Sequence, residues 1–363
     1  MGAQRLRTRR VLGLILGLVL ALAIGTGLPP ALIAWKKLLP TDVQLTLTSE
    51  ASDARLADLS AAAADQECGL ACHSHTGTAA LEQELHTSPG AKFMQTQLDA
   101  TTRIELPGHT TAEVHELLEL SRDSTFPSPE ALPVTTWRAS DLPEVAEQAT
   151  EPRTGVQYFF PFTTERRSYQ YFDVVTWRPN PIDYVEKTKV SGLDSYAFAQ
   201  ELIAEPISDG PLRGWLEPLT QGPAQRFYSP EELAQRGLRP EQDITLMPYY
   251  TVSREVWVQP QTGTILDEHT TRHIFLAASA DEARAAQNSP QRTVAYLDSQ
   301  FSDATRTQQA DHARPQVHQL RFLQVLAWVC RLVAVILTVL LVWEVLRYRS
   351  ALRRRVLSES TQP

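Results

Sequence analysis

Catalytic signatures are missing from this chain. It has no Gly-x-Ser-x-Gly nucleophile turn, and His115-Glu116 lacks the second histidine four positions on that a zincin helix requires. No nucleophile, acid pair or phosphate loop stands out in its most patterned stretch, residues 155–200. A non-enzyme is therefore expected, with no catalytic residue and no cofactor. Cysteine is scarce as well: among 363 residues there are only Cys68, Cys72 and Cys330. The first two sit in Glu-Cys-Gly-Leu-Ala-Cys-His-Ser-His with His73 and His75, a set that suits zinc or copper and lies one residue off a haem-attachment spacing. Because Cys330 falls in an apolar run, a local Cys68–Cys72 disulfide without metal is the leading expectation for an oxidising compartment.

Charge is absent over 25 consecutive positions, Val11 to Trp35. A second run, Phe322 to Leu346, is apolar except for Gln324, Arg331 and Glu344. Each is long enough to cross a hydrocarbon core of about 30 Å. Arg5, Arg7, Arg9 and Arg10 precede the first run, and five arginines between Arg347 and Arg355 follow the second. By the positive-inside rule both ends are cytoplasmic and the middle is exported. A cleaved signal peptide is the rival for the first run, but its apolar region is long and Lys36-Lys37 follows it. The expected organisation is a tail at 1–10, a transmembrane helix at 11–35, an extracytoplasmic domain at 38–320, a second helix at 322–346 and a tail at 347–363.

Basic residues are few in the exported part. It holds 21 Lys and Arg against 40 Asp and Glu, a formal charge of −19. That argues against nucleic acid as a partner and against adsorption to anionic headgroups, so no nucleic acid is expected. The membrane segments carry the other partner signals. Gly13, Gly17, Ala21 and Gly25 recur every four residues, a stripe that lets a second helix approach closely. Arg331 lies nine residues into the second run, about 14 Å deep, with no acid within reach in either span. We expect the spans to pack through this stripe and the Ala327–Arg331–Ala334 face, with Arg331 directed to the outer leaflet or to a membrane partner.

Between the spans the pattern is β. Residues 155–200 alternate with a period of two, placing Tyr169, Tyr171 and Asp173 on one face, and read as about four antiparallel strands. Turns are expected at Phe162–Thr164, Arg178–Pro181 and Ser191–Asp194. Further strands are expected at 42–50, within 92–105, at 134–137, across 249–275 and at 292–301. Helices are expected at 51–64, at Ala112–Leu120, near 230–235 and at 302–319. The fold of 76–150 is otherwise left open. The fold class is thus a mainly β (α+β) domain, a curved antiparallel sheet of meander hairpins flanked by two transmembrane helices.

Three stretches, GVQYFFPFTTERRSYQYFD (155–173), IDYVEKTKVSGLDSYAFAQEL (182–202) and REVWVQPQTGTILDEHTTRHI (254–274), together with both apolar runs, resemble an actinobacterial family of two-anchor envelope proteins, the porin PorA family. The resemblance covers residues 155–346 and implies a cell-envelope membrane protein without catalytic residues. The strands themselves are acidic, aromatic and interrupted, unlike those of a transmembrane barrel. The hairpins at Val190, Gly192 and Tyr196 and at Trp257, Val258, Pro260, Thr262 and Gly263 are also similar to those of exported lipid carriers of the LolA and LppX kind. That likeness implies a sheet curled around an apolar cavity of several hundred Å3, with Tyr158, Phe160, Tyr169, Tyr171 and Phe172 as the apolar ligand surface. Binding or transfer of envelope lipid is the expected role. A structural subunit of an envelope complex, touching other membrane proteins, is the alternative, and a channel component a further one.

Overall fold

A computed structural model of the protein describes residues 2–109, 111–139, 142–285 and 289–359. It divides into a unit of 39–314 and a unit made of 1–38 and 315–363. The first helix of the latter, α1, spans Gly2–Leu22, widens into a π turn at Ala23–Gly27, and resumes as α2, Leu28–Lys36. Pro29 and Pro30 lack the N–H groups that regular helix would use, and the wide turn ahead of them lets the chain stay helical.

Within 39–314 the chain forms β1 (Gln44–Ala57), α3 (Leu59–Ala64), β2 (Ser74–Pro89), β3 (Gln95–Glu105), β4 (Thr111–Ser121), β5 (Val134–Ala139) and β6 (Leu142–Gln148). Then come β7 (Tyr169–Asp173), β8 (Arg178–Val190), β9 (Leu193–Pro206), α4 (Leu212–Leu216), the small β10 (Gln221–Pro223), α5 (Pro230–Arg236) and β11 (Asp243–Thr245). The unit ends with β12 (Met247–Val258), β13 (Ile265–Ala277), α6 (Ala280–Ala285), β14 (Thr293–Phe301) and the start of α7, Asp303–Glu359. Twelve strands form one antiparallel sheet in the order β6-β5-β4-β3-β2-β1-β14-β13-β12-β9-β8-β7. The sheet curls: Trp137 on β5 and Tyr171 on β7, from opposite ends of that order, line the same cavity. Inside the curl, period-two rows such as Val252, Val256 and Val258 are buried, and α4 with the loops around it caps part of the interior through Trp215, Leu216 and Leu219.

Several expectations need correction. Ala112–Leu120 is strand β4, not helix, because Val114, Glu116, Leu118 and Leu120 alternate inward and the buried acid hides the period. The expected helix at 51–64 begins only at Leu59, since β1 runs to Ala57. Residues 76–150, left open in the sequence, supply most of β2 and all of β3 to β6. Arg178–Pro181 is not a turn but the start of β8; the turn precedes it, with Trp177 at φ 58°. Proline is tolerated there because β8 pairs with β9 only from Asp183 onward. The stretch 155–200 therefore holds three strands rather than four. At Ser191-Gly192 both residues have positive φ, the two-residue hairpin loop that matches strand twist.

His273 on β13 is buried between the rings of Phe275 and Tyr296, with Thr293 Oγ1 at 3.0 Å. Burial, helped by Arg55, lowers its pKa from 6.5 to about 4. As pH falls through 6.5 the unfolded chain takes up this proton while the folded chain does not, so stability declines until the folded pKa is reached. Urea unfolding of His273→Phe is expected to lack that slope between pH 7 and 4, a difference of roughly 2–3 kcal/mol. Equal slopes in both proteins would remove His273 as the cause.

Candidate functional site

Three charged side chains occupy apolar rows inside the curled sheet. Glu116 lies between Val114 and Leu118 on β4, Arg254 between Val252 and Val256 on β12, and Asp173 follows Tyr171 on β7. All three are almost fully buried, at 1%, 4% and 3% exposure. Charges so placed persist only when paired and hydrogen-bonded.

Glu116 accepts from Arg153 Nη2 at 2.6 Å, Gln157 Nε2 at 3.0 Å, Thr135 Oγ1 at 3.2 Å and the Tyr158 hydroxyl. The Arg153 guanidinium also stacks on the Phe172 ring at 3.7 Å. Asp173 accepts from Arg254 Nη2 at 3.0 Å, from the Tyr250 hydroxyl at 3.3 Å and from the Val175 backbone N–H at 2.9 Å. Arg254 Nη1 donates to Gln200 Oε1, and its guanidinium sits over the Tyr171 ring at 4.4 Å. Burial opposes the Arg254 charge, but the negative charge beside it, at neutral pH the Asp173 carboxylate, more than offsets this and its pKa is raised. Burial and the neighbouring Glu116 push the Tyr158 phenol well up, and burial pushes Tyr171 to about 12. These phenols therefore stay protonated, and Tyr158 donates to Glu116.

The two networks border a chamber of about 130 Å3, lined by Glu116, Tyr158, Tyr171, Asp173, Arg254 and Arg272 among others. A second chamber of about 130 Å3 adjoins it, sharing Ile104, Trp137, Val175, Tyr250 and Arg272. Its remaining lining is nearly all apolar, with Leu56, Leu142, Trp215, Ile274 and Val294 from five different elements or loops. The cavity is thus smaller than the several hundred Å3 expected, and it is polar at one end and apolar at the other.

The expected aromatic surface divides. Tyr158, Tyr171 and Phe172 line the polar chamber. Phe160 and Tyr169 instead pack with Phe198, ring centroids 5.0 to 5.7 Å apart, in the core beside it. Cys68 and Cys72 are joined by a disulfide around a short 3-10 turn. His73 pairs with Asp65 at 3.0 Å, whereas His75 stacks on His109 with centroids 3.7 Å apart. The donors thus separate, and among the described residues no group of three or more His, Cys, Asp or Glu is placed to hold a metal.

In the membrane-type unit, Arg331 Nε donates to the Gly25 carbonyl at 2.9 Å, inside the π turn. A Cβ on Gly25 would lie 3.1 Å from the Arg331 backbone nitrogen, and one on Gly17 would touch Leu337. Ala21, Ala327 and Ala334 are buried in the same unit, while a Cβ on Gly13 would meet nothing. Among the described residues, Arg331 meets the Gly25 carbonyl and the Trp328 ring in place of a carboxylate. Glu116, Asp173 and Arg254 are the residues of this candidate site that sequence reasoning missed. Their signal is a charge falling in phase with an apolar alternation, Val252-x-Arg254-x-Val256 and Val114-x-Glu116-x-Leu118.

Two helical stretches, Arg9–Lys36 and Asp303–Ser350, are long and apolar enough to cross a membrane. Among known proteins, the chain is similar to a porin PorA of Corynebacterium resistens, 29% identical over 241 residues, which is 56% of this chain and 58% of that protein. It is also similar to a porin PorA of Corynebacterium amycolatum, 23% identical over 224 residues, covering 57% and 58% of the two chains. The chain spans less than two thirds of the length of either relative. The family model described as Porin PorA matches residues 11–343, through both apolar stretches and the whole curled sheet, and the chain belongs to that family.

Proposed function

We propose that this membrane protein of the cell envelope binds an amphiphilic envelope lipid in the two-chamber cavity of its β unit, without catalysing a reaction on it. The observation that carries the reading is the junction of an apolar chamber with a polar one inside the curl. An acyl chain suits the first and a head the second. The arginine-rich flanks of both apolar stretches support an extracytoplasmic β unit with both tails in the cytoplasm. The relatives carry the name porin, yet a pore lined by one copy's strands needs a closed sheet, and this one ends at β6 and β7. Scaffolding through the membrane helices is compatible with ligand binding and adds partners rather than replacing it.

The test is native mass spectrometry and solvent extraction of the full chain purified in amphipol. About one lipid per chain is expected. Ala57→Phe, which projects a ring from a buried position of the apolar chamber, is expected to lose that lipid while keeping its β circular dichroism. Lipid-free wild type, or equal lipid in folded Ala57→Phe, would overturn the reading.

A further inference from the structure

The polar chamber carries a chemical preference of its own. Its charged lining is Glu116, Asp173 and Glu268 with Arg254 and Arg272, and Arg153 stands directly behind Glu116. Each acid has its own guanidinium: Glu116 with Arg153 at 2.6 Å, Asp173 with Arg254 at 3.0 Å, Glu268 with Arg272 at 3.4 Å. Glu116 and Asp173 are also saturated by neutral donors, Tyr158, Gln157 and Thr135 on Glu116, Tyr250 and two backbone N–H groups on Asp173.

Among the residues lining the two chambers, the buried side-chain polar atoms that lack a hydrogen-bond partner are Arg254 Nε and Trp137 Nε1. Both are N–H donors on side chains more than nine-tenths buried. A buried donor left unpaired is costly, and each such group in a native protein calls for an acceptor. Their placement differs. Trp137 lines both chambers and so stands at their junction, whereas Arg254 lines the polar chamber alone.

These observations sort ligand heads by charge. An anion would enter a buried site whose positive charges are already matched one for one, and its lost hydration would go uncompensated. A cation would need a carboxylate to itself, and each of the three already neutralises a guanidinium. An uncharged group with acceptor oxygens fits both unpaired donors. Resting on the lipid-binding reading above, we infer that the ligand is an uncharged acyl ester with a hydroxylated head. The chain fills the apolar chamber, the ester carbonyl accepts from Trp137 at the junction, and a head oxygen accepts from Arg254. A chamber of this size, close to an engineered cavity of about 150 Å3 that holds a six-carbon ring, takes a short acyl chain.

Isothermal titration of the delipidated full chain in amphipol tests this with probes sharing one eight-carbon chain: monooctanoylglycerol, octanoate, octyl phosphate, octylamine and octane. Monooctanoylglycerol is expected to bind at least about tenfold more tightly than any charged probe. Trp137→Phe keeps the ring and removes the N–H. It is expected to weaken monooctanoylglycerol about fivefold and to leave octane unchanged. A charged probe that binds as tightly as the glyceride overturns the inference about the head while lipid binding stands. Unchanged glyceride affinity in Trp137→Phe overturns the assignment of the junction donor. If no probe binds, octane included, the lipid-binding reading itself falls.

Discussion

Replacing Arg254 with methionine is expected to cost the β unit about 3–5 kcal/mol, the usual consequence of leaving one member of a buried ion pair alone. Methionine keeps most of the volume and loses only the charge and its donors. Asp173 would remain buried with its negative charge, and Gln200 Oε1 would lose its donor. In thermal unfolding this amounts to a fall in midpoint of roughly 10 °C. The second carboxylate network, around Glu116, does not touch Arg254 and should not compensate. Removing both charges, with Asp173→Asn added to Arg254→Met, is expected to recover much of the loss. If the double variant is no more stable than the single one, Arg254 acts mainly by packing on Tyr171, and the pair is not what holds this part of the core.

The other large effect belongs to Gly263, in the hairpin between β12 and β13. Its φ is 72°, where an alanine is disfavoured by about 1–2 kcal/mol. Space is the greater problem. A Cβ there would overlap the carbonyl oxygen of Phe160 and come within 3.0 Å of the Pro161 oxygen. The same approach is used for bonding, since Phe160 N–H donates to the Gly263 carbonyl at 3.2 Å. Overpacking of this kind adds about 1–3 kcal/mol, so Gly263→Ala is expected to lose roughly 2–5 kcal/mol in total. Gly192 provides the control. Its φ is 80° but a Cβ would meet nothing within 4 Å, so Gly192→Ala should show the backbone term alone. Denaturant midpoints that match for the two alanine variants would show that the Phe160 contact yields without cost.

That contrast also marks what a sequence can and cannot disclose. Both glycines are legible as turn residues from Ser-Gly and Pro-Gln-Thr-Gly, yet only the folded chain reveals that Phe160, about a hundred residues earlier, lies against one of them. The same division holds elsewhere. Strands β12, β13 and β14 announce themselves because valine, isoleucine, leucine and aromatic residues are dense along them, even though Arg254, Glu268 and Arg272 also face the cavity. Strand β4 does not, because Glu116 interrupts its inward row and the string Ala-Glu-Val-His-Glu-Leu-Leu-Glu-Leu also suits a helix. The aromatic residues of 158–172 are conspicuous in the sequence, but which of them face a cavity and which fill a core depends on Phe198, contributed by β9. Most of the polar chamber is hidden for one reason: its charges are paired across distant strands, so no local motif holds both members. Glu116 and Arg153, or Asp173 and Arg254, meet only when the sheet curls.

The order of strands has a consequence in time. β1 is flanked by β2 on one side and by β14 on the other, with Ser49 opposite Phe301 and Leu56 opposite Ala295. The half-sheet of β1 to β6 and the half-sheet of β7 to β9 with β12 to β14 are therefore stitched together by the earliest strand and the latest one. Until β14 has been made, β1 presents an unpaired edge of 14 residues, the kind of edge that invites pairing with another chain. Closing the seam joins positions about 240 residues apart, a slow step on loop-closure grounds, and α7, whose apolar run starts at Phe322, begins directly after it. The nascent unit is thus most exposed to misassembly in the interval just before its last strand arrives, and its completion coincides with arrival of the second membrane-type helix.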